Sequence, residues 1–253
     1  MRLKKLENFL KQFIPPIISQ SLRRRRIERR DRPYDNIPDR AFYQGVFSPW
    51  LGYGEFGPLY ERMRGVSLVS RERAWMLYTL GRQALTVDGA FYEAGVFRGG
   101  TAVLFAELIR RAPAKHDLHL FDTFTGMPET DPERDLHHAG DFAGTSLQGV
   151  QARVGNDDFI HYHAGFVPQT FAGREADRIA FAHVDLDIYR SILDACEFIY
   201  PRLQPGGFLV FDDYGFMSCP GARQAVDEFF ATRREIPLVL PTGQAIVFKG
   251  AGG

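Results

Sequence analysis

IAFAHVDLDIYRSILDACEFIYPRL, residues 179–203, decides how this chain folds. Its opening, IAFAHV, is apolar but for one histidine, as expected of a strand buried in the middle of a parallel sheet. Asp185 and Asp187 follow two positions apart. Aspartate is disfavoured in strands and costly to bury, so the pair marks the point where the strand ends. IYRSILDACEFIYPRL then reads as a helix that closes before Pro205. A buried strand leading straight into a helix is the repeating unit of an α/β fold.

Outward from this stretch the unit recurs. GAFYEAGVF (89–97) is strand-like and TAVLFAELIRRA (101–112) helical; LHLFDTF (118–124) is followed by the helix SLQGVQARVG (146–155). DFIHYHAGF (158–166) is a further strand, with VPQTFAG opening a short connection. GGFLVFDDY (206–214) precedes the helix GARQAVDEFFATRR. PLVLPTGQAIVFKG (237–250) predicts two strands around a Pro-Thr-Gly turn, an antiparallel hairpin at the sheet edge. The alternation predicts a Rossmann-like, doubly wound, mostly parallel sheet that binds ligands at the carboxyl ends of its strands. Upstream, SRERAWMLYTLGRQALT (70–86) predicts a helix N-capped by Ser70 with a wide apolar stripe. AFYQGVFSPWLGYGEFGPLYERMRG (41–65), rich in aromatics, glycine and proline, predicts a packed but irregular segment. The expected organisation is a basic arm over 1–40, a helical, aromatic cap over 41–86 and the main domain over 87–253.

With 253 residues, 45% hydrophobic and 25% charged, the chain has material for one large core. Its formal net charge of +0 argues against nucleic acid as a partner. SLRRRRIERRDR (21–32) is a local exception, behind an amphipathic stretch stopped at Pro15. That arm suits a packing or subunit contact followed by solvated charge, with weak contact to a membrane surface or partner as the alternative. Cys196 and Cys219 form neither a metal-binding spacing nor a disulfide framework, and LENFLKQFIPPII is broken by charges and prolines. A cytoplasmic enzyme is expected.

The strand ends carry the chemistry. YEAGVFRGGT (92–101) has the pattern Glu-x-Gly-x-x-x-Gly-Gly leading into a helix. A dinucleotide site would want glycine where Glu93 stands, since a carboxylate repels a pyrophosphate. Glu93 instead suits a cationic ligand such as the ammonium of an S-adenosylmethionine tail. Asp122, ending the next strand, fits an acceptor for ribose hydroxyls, or equally a turn aspartate. Asp185 and Asp187 at one strand exit and Asp212 and Asp213 at the next would crowd four carboxylates into one cleft. A hard divalent cation such as Mg²⁺ relieves that crowding; the competing reading has these acids capping the helices that follow.

Together EAGVFRGGTA, LFDTFTGMP, HVDLDIYRS and LDACEFIYPRLQPGGFLVFDDY resemble the macrocin O-methyltransferase family, over about residues 40 to 250. The resemblance implies a class I methyltransferase sheet with a helical N-terminal extension, and S-adenosylmethionine- and Mg²⁺-dependent methylation of a sugar hydroxyl in antibiotic biosynthesis. It implies that Glu93 and Gly95 border the methionine part of the cofactor and that Asp122 holds the ribose. Asp185, Asp212 and Asp213 would be metal ligands and Asp187 the base. Ser67 and Leu68 stand where relatives often have Thr-Met near the cofactor. Ser146 would help bound the adenine pocket, with His163 and Gly165 as further candidates there. Homo-oligomers are expected. A catechol or other non-sugar diol is the alternative acceptor, and an adaptor that only binds the cofactor is the alternative of another class.

Overall fold

The computed structural model describes residues 47–251; the expected arm over 1–40 lies outside the described residues, as does the start of the cap. Residues from Pro49 onward form one compact unit. The helices expected in the cap, α1 (Phe56–Met63) and α2 (Arg71–Ala84), pack on α3 (Gly100–Arg111) within that unit. Ser70 caps α2 as the sequence predicts: its side chain accepts the Arg73 N–H.

The sheet strands are β1 (Ala90–Ala94), β2 (Leu118–Asp122), β3 (Ile160–Ala164), β4 (Ile179–Val184), β5 (Leu203–Phe211), β6 (Leu238–Val239) and β7 (Ala245–Phe248). They lie in the order β3-β2-β1-β4-β5-β7-β6. β1 to β5 are parallel, while β7 runs antiparallel to β5 and pairs with β6, giving the expected terminal hairpin. The helices α4 (Leu147–Val154), α5 (Tyr189–Ile199) and α6 (Pro220–Phe230) complete the layers. No described helix is long and apolar enough to cross a membrane.

Strand alternation sorts the core onto the two sheet faces. Phe91 and Phe181 join Phe105 of α3 and the α1–α2 side chains Phe56, Met63 and Leu77. Tyr92, Phe121 and Ala182 face the other way, with Ile192 of α5 and Val226 of α6. Each large ring fully buried in this way contributes about 1.5–3 kcal/mol.

The strand order reverses between β1 and β4, and their ends meet closely there. Asp185 donates its backbone N–H to the Ala94 carbonyl, and Gly95 donates to that of Phe121. Gly95 has φ +92°, and a Cβ at this position would stand 1.7 Å from the Asp185 carbonyl oxygen. Only glycine fits.

Candidate active site

A cavity of about 270 Å³ opens at the carboxyl ends of the strands, on the switch in strand order. Gly95, Val96 and Phe97 from the turn after β1 line it, with Asp122 and Thr123 after β2 and Gly165 after β3. Asp185, Leu186 and Asp187 after β4 and Asp213 after β5 close its acidic wall. Three non-glycine residues of these exits, Phe97, Phe124 and Asp187, have φ of 49°, 55° and 61°. Left-handed backbone at such positions costs free energy and is found where surrounding structure holds a functional geometry in place.

The acids meet as the strand ends require. Asp185, Asp187 and Asp213 can each place one oxygen within 4.8 Å of the other two. Asp213 Oδ2 accepts the Asp187 backbone N–H at 2.9 Å, which fixes the strained turn. Burial and the neighbouring Asp213 push the Asp185 carboxyl well above its ordinary value. Burial, then the adjacent carboxylates, push Asp187 and Asp213 up to about 7 each. Arg73 is the one Lys or Arg of the cavity wall among the described residues, and its guanidinium is committed to Asp212. The acidic group therefore holds an excess of negative charge that protons or a cation must balance. An all-oxygen set with this excess fits a hard divalent ion such as Mg²⁺.

Asp212 stands behind Asp185, Asp187 and Asp213, where it can place an oxygen within 4.8 Å of an Asp185 oxygen. It is fully buried and absent from the cavity wall. Its Oδ2 takes the Arg73 guanidinium, and its Oδ1 accepts from Gln244 Nε2 at 2.8 Å. Both oxygens are thus engaged behind the wall. Glu93 is likewise fully buried and outside the wall: it lies opposite His183 on β4, with Oε1 3.1 Å from His183 Nδ1. Glu93 is still within β1 and its side chain enters the sheet face beneath α3, while Gly95 lies past the end of the strand and reaches the cavity. Burial, opposed by the Thr101 hydroxyl, pushes the Glu93 carboxyl up to about 8.

Ser146 also departs from its expected place. Its hydroxyl accepts the Gly149 N–H and caps α4, while its neighbour Thr145 takes the wall position. His163 turns away from the cavity to meet His119, whereas Gly165 stays on the wall. Ser67 and Leu68 both line the cavity; a Cβ on Gly100 would stand 2.5 Å from that of Ser67, so the start of α3 is kept bare for this segment. Asp122 serves the turns around it. Oδ2 accepts the N–H groups of Val96 and Phe97 at 2.7 and 2.8 Å, and Oδ1 that of Phe124 at 2.7 Å.

Neither Asp185 nor Asp187 caps α5. Asp135 does so from the loop between β2 and α4, its Oδ1 accepting the Tyr189 N–H at 2.9 Å. The Tyr189 hydroxyl donates to Glu228, its ring lies under the Arg134 guanidinium, and Arg190 pairs with Asp194. Both side chains hold the helix in place; neither is on the cavity wall. The same loop sends His137 and Phe142 into the wall, with Cys219 opposite. His137 Nε2 is 3.7 Å from Asp187 Oδ1, and the Cys219 thiol donates to that oxygen at 3.4 Å. Sequence reasoning missed Arg73, His137 and Cys219; the one available signal was that loops after β2 and β5 must overhang these strand ends.

This strand order, with a cavity and acids at the switch point, defines the α/β fold of the class I O-methyltransferases. The O-methyltransferase NovP shares it, at TM-score 0.67 and 21% identity over 74% of this chain and 83% of that one. Residues 63–241 match the Macrocin-O-methyltransferase (TylF) family, and the chain belongs to it. Among curated relatives, an 8-demethyl-8-(2,3-dimethoxy-alpha-L-rhamnosyl)-tetracenomycin-C 4'-O-methyltransferase of Streptomyces olivaceus is 32% identical over 155 residues, 56% of this chain and 58% of the relative. A mycinamicin III 3''-O-methyltransferase of Micromonospora griseorubida is 34% identical over 158 residues, 56% of this chain and 61% of the relative. The matched region thus spans about three fifths of the length of these relatives.

Proposed function

We propose that this protein is an S-adenosylmethionine-dependent O-methyltransferase that methylates a hydroxyl of a sugar-bearing small molecule, with a divalent cation, Mg²⁺, at the acidic wall. The observation that carries this reading is Asp187, a carboxyl on the cavity wall that can place an oxygen within 4.8 Å of those of Asp185 and Asp213. A carboxylate at that position suits removal of a proton from an alcohol. The named relatives that methylate glycosylated compounds favour a sugar acceptor over a catechol.

When bound, the cofactor supplies a methyl sulfonium, and the cation makes the acceptor hydroxyl more acidic. The chain's own residues do the rest. Gly95, Ser67 and Leu68 bound the space for the methionine part, and Asp122 shapes the turn beside the ribose while offering its remaining lone pairs. Gly165 and Thr145 wall the adenine side. Glu93 lies behind the wall, and its role is to hold the β1 exit through His183. Asp185 and Asp213 hold the cation, and Asp212 joins them only where Arg73 releases it. Asp187 accepts the hydroxyl proton at a carboxylate oxygen, oriented by its N–H bond to Asp213.

The experiment is Asp187→Asn with S-adenosylmethionine binding and turnover measured on the same preparation. Retained binding with turnover reduced at least a hundredfold is expected; near-normal turnover removes Asp187 from the role of base. Screening labelled S-adenosylmethionine against glycosylated and catecholic acceptors separates the two acceptor classes.

A further inference from the structure

A second cluster of ligating side chains lies away from the cavity, near the sheet edge formed by β3. His119 on β2 and His161 on β3 are register partners, so both point to the same face. Their rings stack with centroids 4.7 Å apart. Asp117, just before β2, lies against them, with its Oδ1 3.1 Å from His161 Nε2. Each of Asp117, His119 and His161 can place one ligand atom within 4.8 Å of the other two. His163, two residues along β3, faces the same way, and its Nε2 is 3.0 Å from His119 Nδ1.

We propose that Asp117, His119 and His161 form a binding site for a divalent transition-metal ion of the Zn²⁺ type, separate from the acidic wall of the cavity. Two imidazoles and one carboxylate are the donor set of zinc and its neighbours rather than of Mg²⁺, which favours oxygen. Tetrahedral bonds of about 2.0–2.1 Å place neighbouring ligand atoms roughly 3.3 Å apart, so the three side chains must close by about 1.5 Å at most. His161 and Asp117 have the freedom to do so, with side chains 40% and 60% exposed, while His119 at 5% is the rigid member. With Nδ1 engaged by His163, His119 has Nε2, 4.0 Å from Asp177 Oδ2, for an ion. A hydrogen bond of that kind at the other ring nitrogen orients a ligating imidazole.

The arrangement is costly without a ligand. An apolar residue at 119 or 163 would pack the same space without desolvating ring nitrogens. Burial instead lowers both imidazoles to about 4, so both are neutral near pH 7; where His119 Nδ1–H donates to His163 Nε2, the lone pair left over is that of His119 Nε2. A bound ion would take the place of the proton shared between His161 and Asp117, and would clip edge strand β3 to β2.

The test is calorimetric titration of the tag-free, metal-stripped full chain with Zn²⁺ in excess Mg²⁺, with the Co²⁺ visible spectrum as a second readout. The variants are His161→Ala and Asp117→Asn, both at exposed side chains, and Asp187→Asn/Cys219→Ser, which removes the carboxylate and the thiol of the cavity's own His137–Asp187–Cys219 group. One Zn²⁺ equivalent retained in Asp187→Asn/Cys219→Ser and weakened at least tenfold in the first two variants is expected. His163→Ala should weaken it about 10–100-fold while leaving all three ligands in place. The proposal is overturned if the wild-type chain takes up no Zn²⁺, if uptake disappears with Asp187 and Cys219, or if His161→Ala and Asp117→Asn bind as wild type.

Discussion

Arg73 links the segment before β1 to the acidic wall, and Arg73→Met isolates that link. The side chain is 12% exposed and pairs with the fully buried Asp212. Its Nη2 also donates to the Leu68 carbonyl at 2.7 Å, and the guanidinium lies over the Phe216 ring. Methionine keeps the length and the contact with Phe216 but removes the charge. Breaking a buried pair by deleting one partner costs about 3–5 kcal/mol, because the other charge is stranded. Asp212 keeps its bond from Gln244, and the Leu68 carbonyl can turn to water, so the low end, about 3 kcal/mol, is expected. At about 2–4 °C per kcal/mol for a chain of this size, Tm should fall by roughly 10 °C. Asp212→Asn alone should cost less, since Arg73 retains a path to solvent, and the double variant should cost less than the sum of the two. Urea unfolding of the four proteins in chelator measures the cycle. Repeating it in Mg²⁺ adds a sharper reading: with Asp212 released, added Mg²⁺ should stabilise Arg73→Met more than wild type. A loss under 1 kcal/mol for Arg73→Met, or additive single costs, would refute the buried-pair reasoning.

Gly95→Ala places a methyl group 1.7 Å from the Asp185 carbonyl oxygen at a φ that side chains avoid; a loss of more than about 4 kcal/mol in urea unfolding is expected, or no soluble protein. Chelation followed by Mg²⁺ add-back should abolish and then restore methyl transfer, and full turnover after exhaustive stripping would sink the role of the cation. The neutral His119 gives the metal-stripped protein an acid-sensitive term. Burial lowers this imidazole to about 4, His161, His163 and Arg174 act in the same direction, and Asp177 opposes them. Below pH 6.5 the unfolded chain takes a proton that the folded one refuses. The stability is therefore present above pH 6.5 and is lost as pH falls toward 4. Between pH 7 and 5 the loss from this residue is about 2 kcal/mol, measured as the difference in urea stability between wild type and His119→Phe. Parallel pH profiles for the two would remove the assignment.

The strand exits were legible because each combines an apolar run with a residue that cannot continue it: Gly95, Asp122, Gly165, Asp185 and Asp213 all reach the cavity. What one sequence could not show is which of two adjacent or alternating residues turns inward. Glu93 and Gly95 are two positions apart, yet the strand ends between them, so the first is buried in the sheet and the second lines the cavity. Ser146 and Thr145 differ by one position, and the demand for an N-cap takes the serine. Arg73 sits in a helix whose pattern names its apolar stripe but says nothing of which distant acid an arginine at its N-terminus will find.

Asp122 shows why the two readings of such a residue need not compete. The sequence left it between holding a ribose and capping a turn. In the structure its oxygens take the N–H groups of Val96 and Phe97 from the turn after β1 and of Phe124 from the turn after β2. Phe97 and Phe124 are two of the three non-glycine residues at these exits with left-handed backbone. The carboxylate thus stabilises the strained conformations that open the cavity, at the edge where a nucleoside would lie. A carboxylate with two oxygens offers about four acceptor positions, and three N–H bonds leave one on Oδ1, where the Thr123 hydroxyl stands 3.5 Å away while donating to the Gly126 carbonyl. The turn bonds keep Phe97 in its place on the cavity wall, so the turn role supports a binding role rather than competing with it.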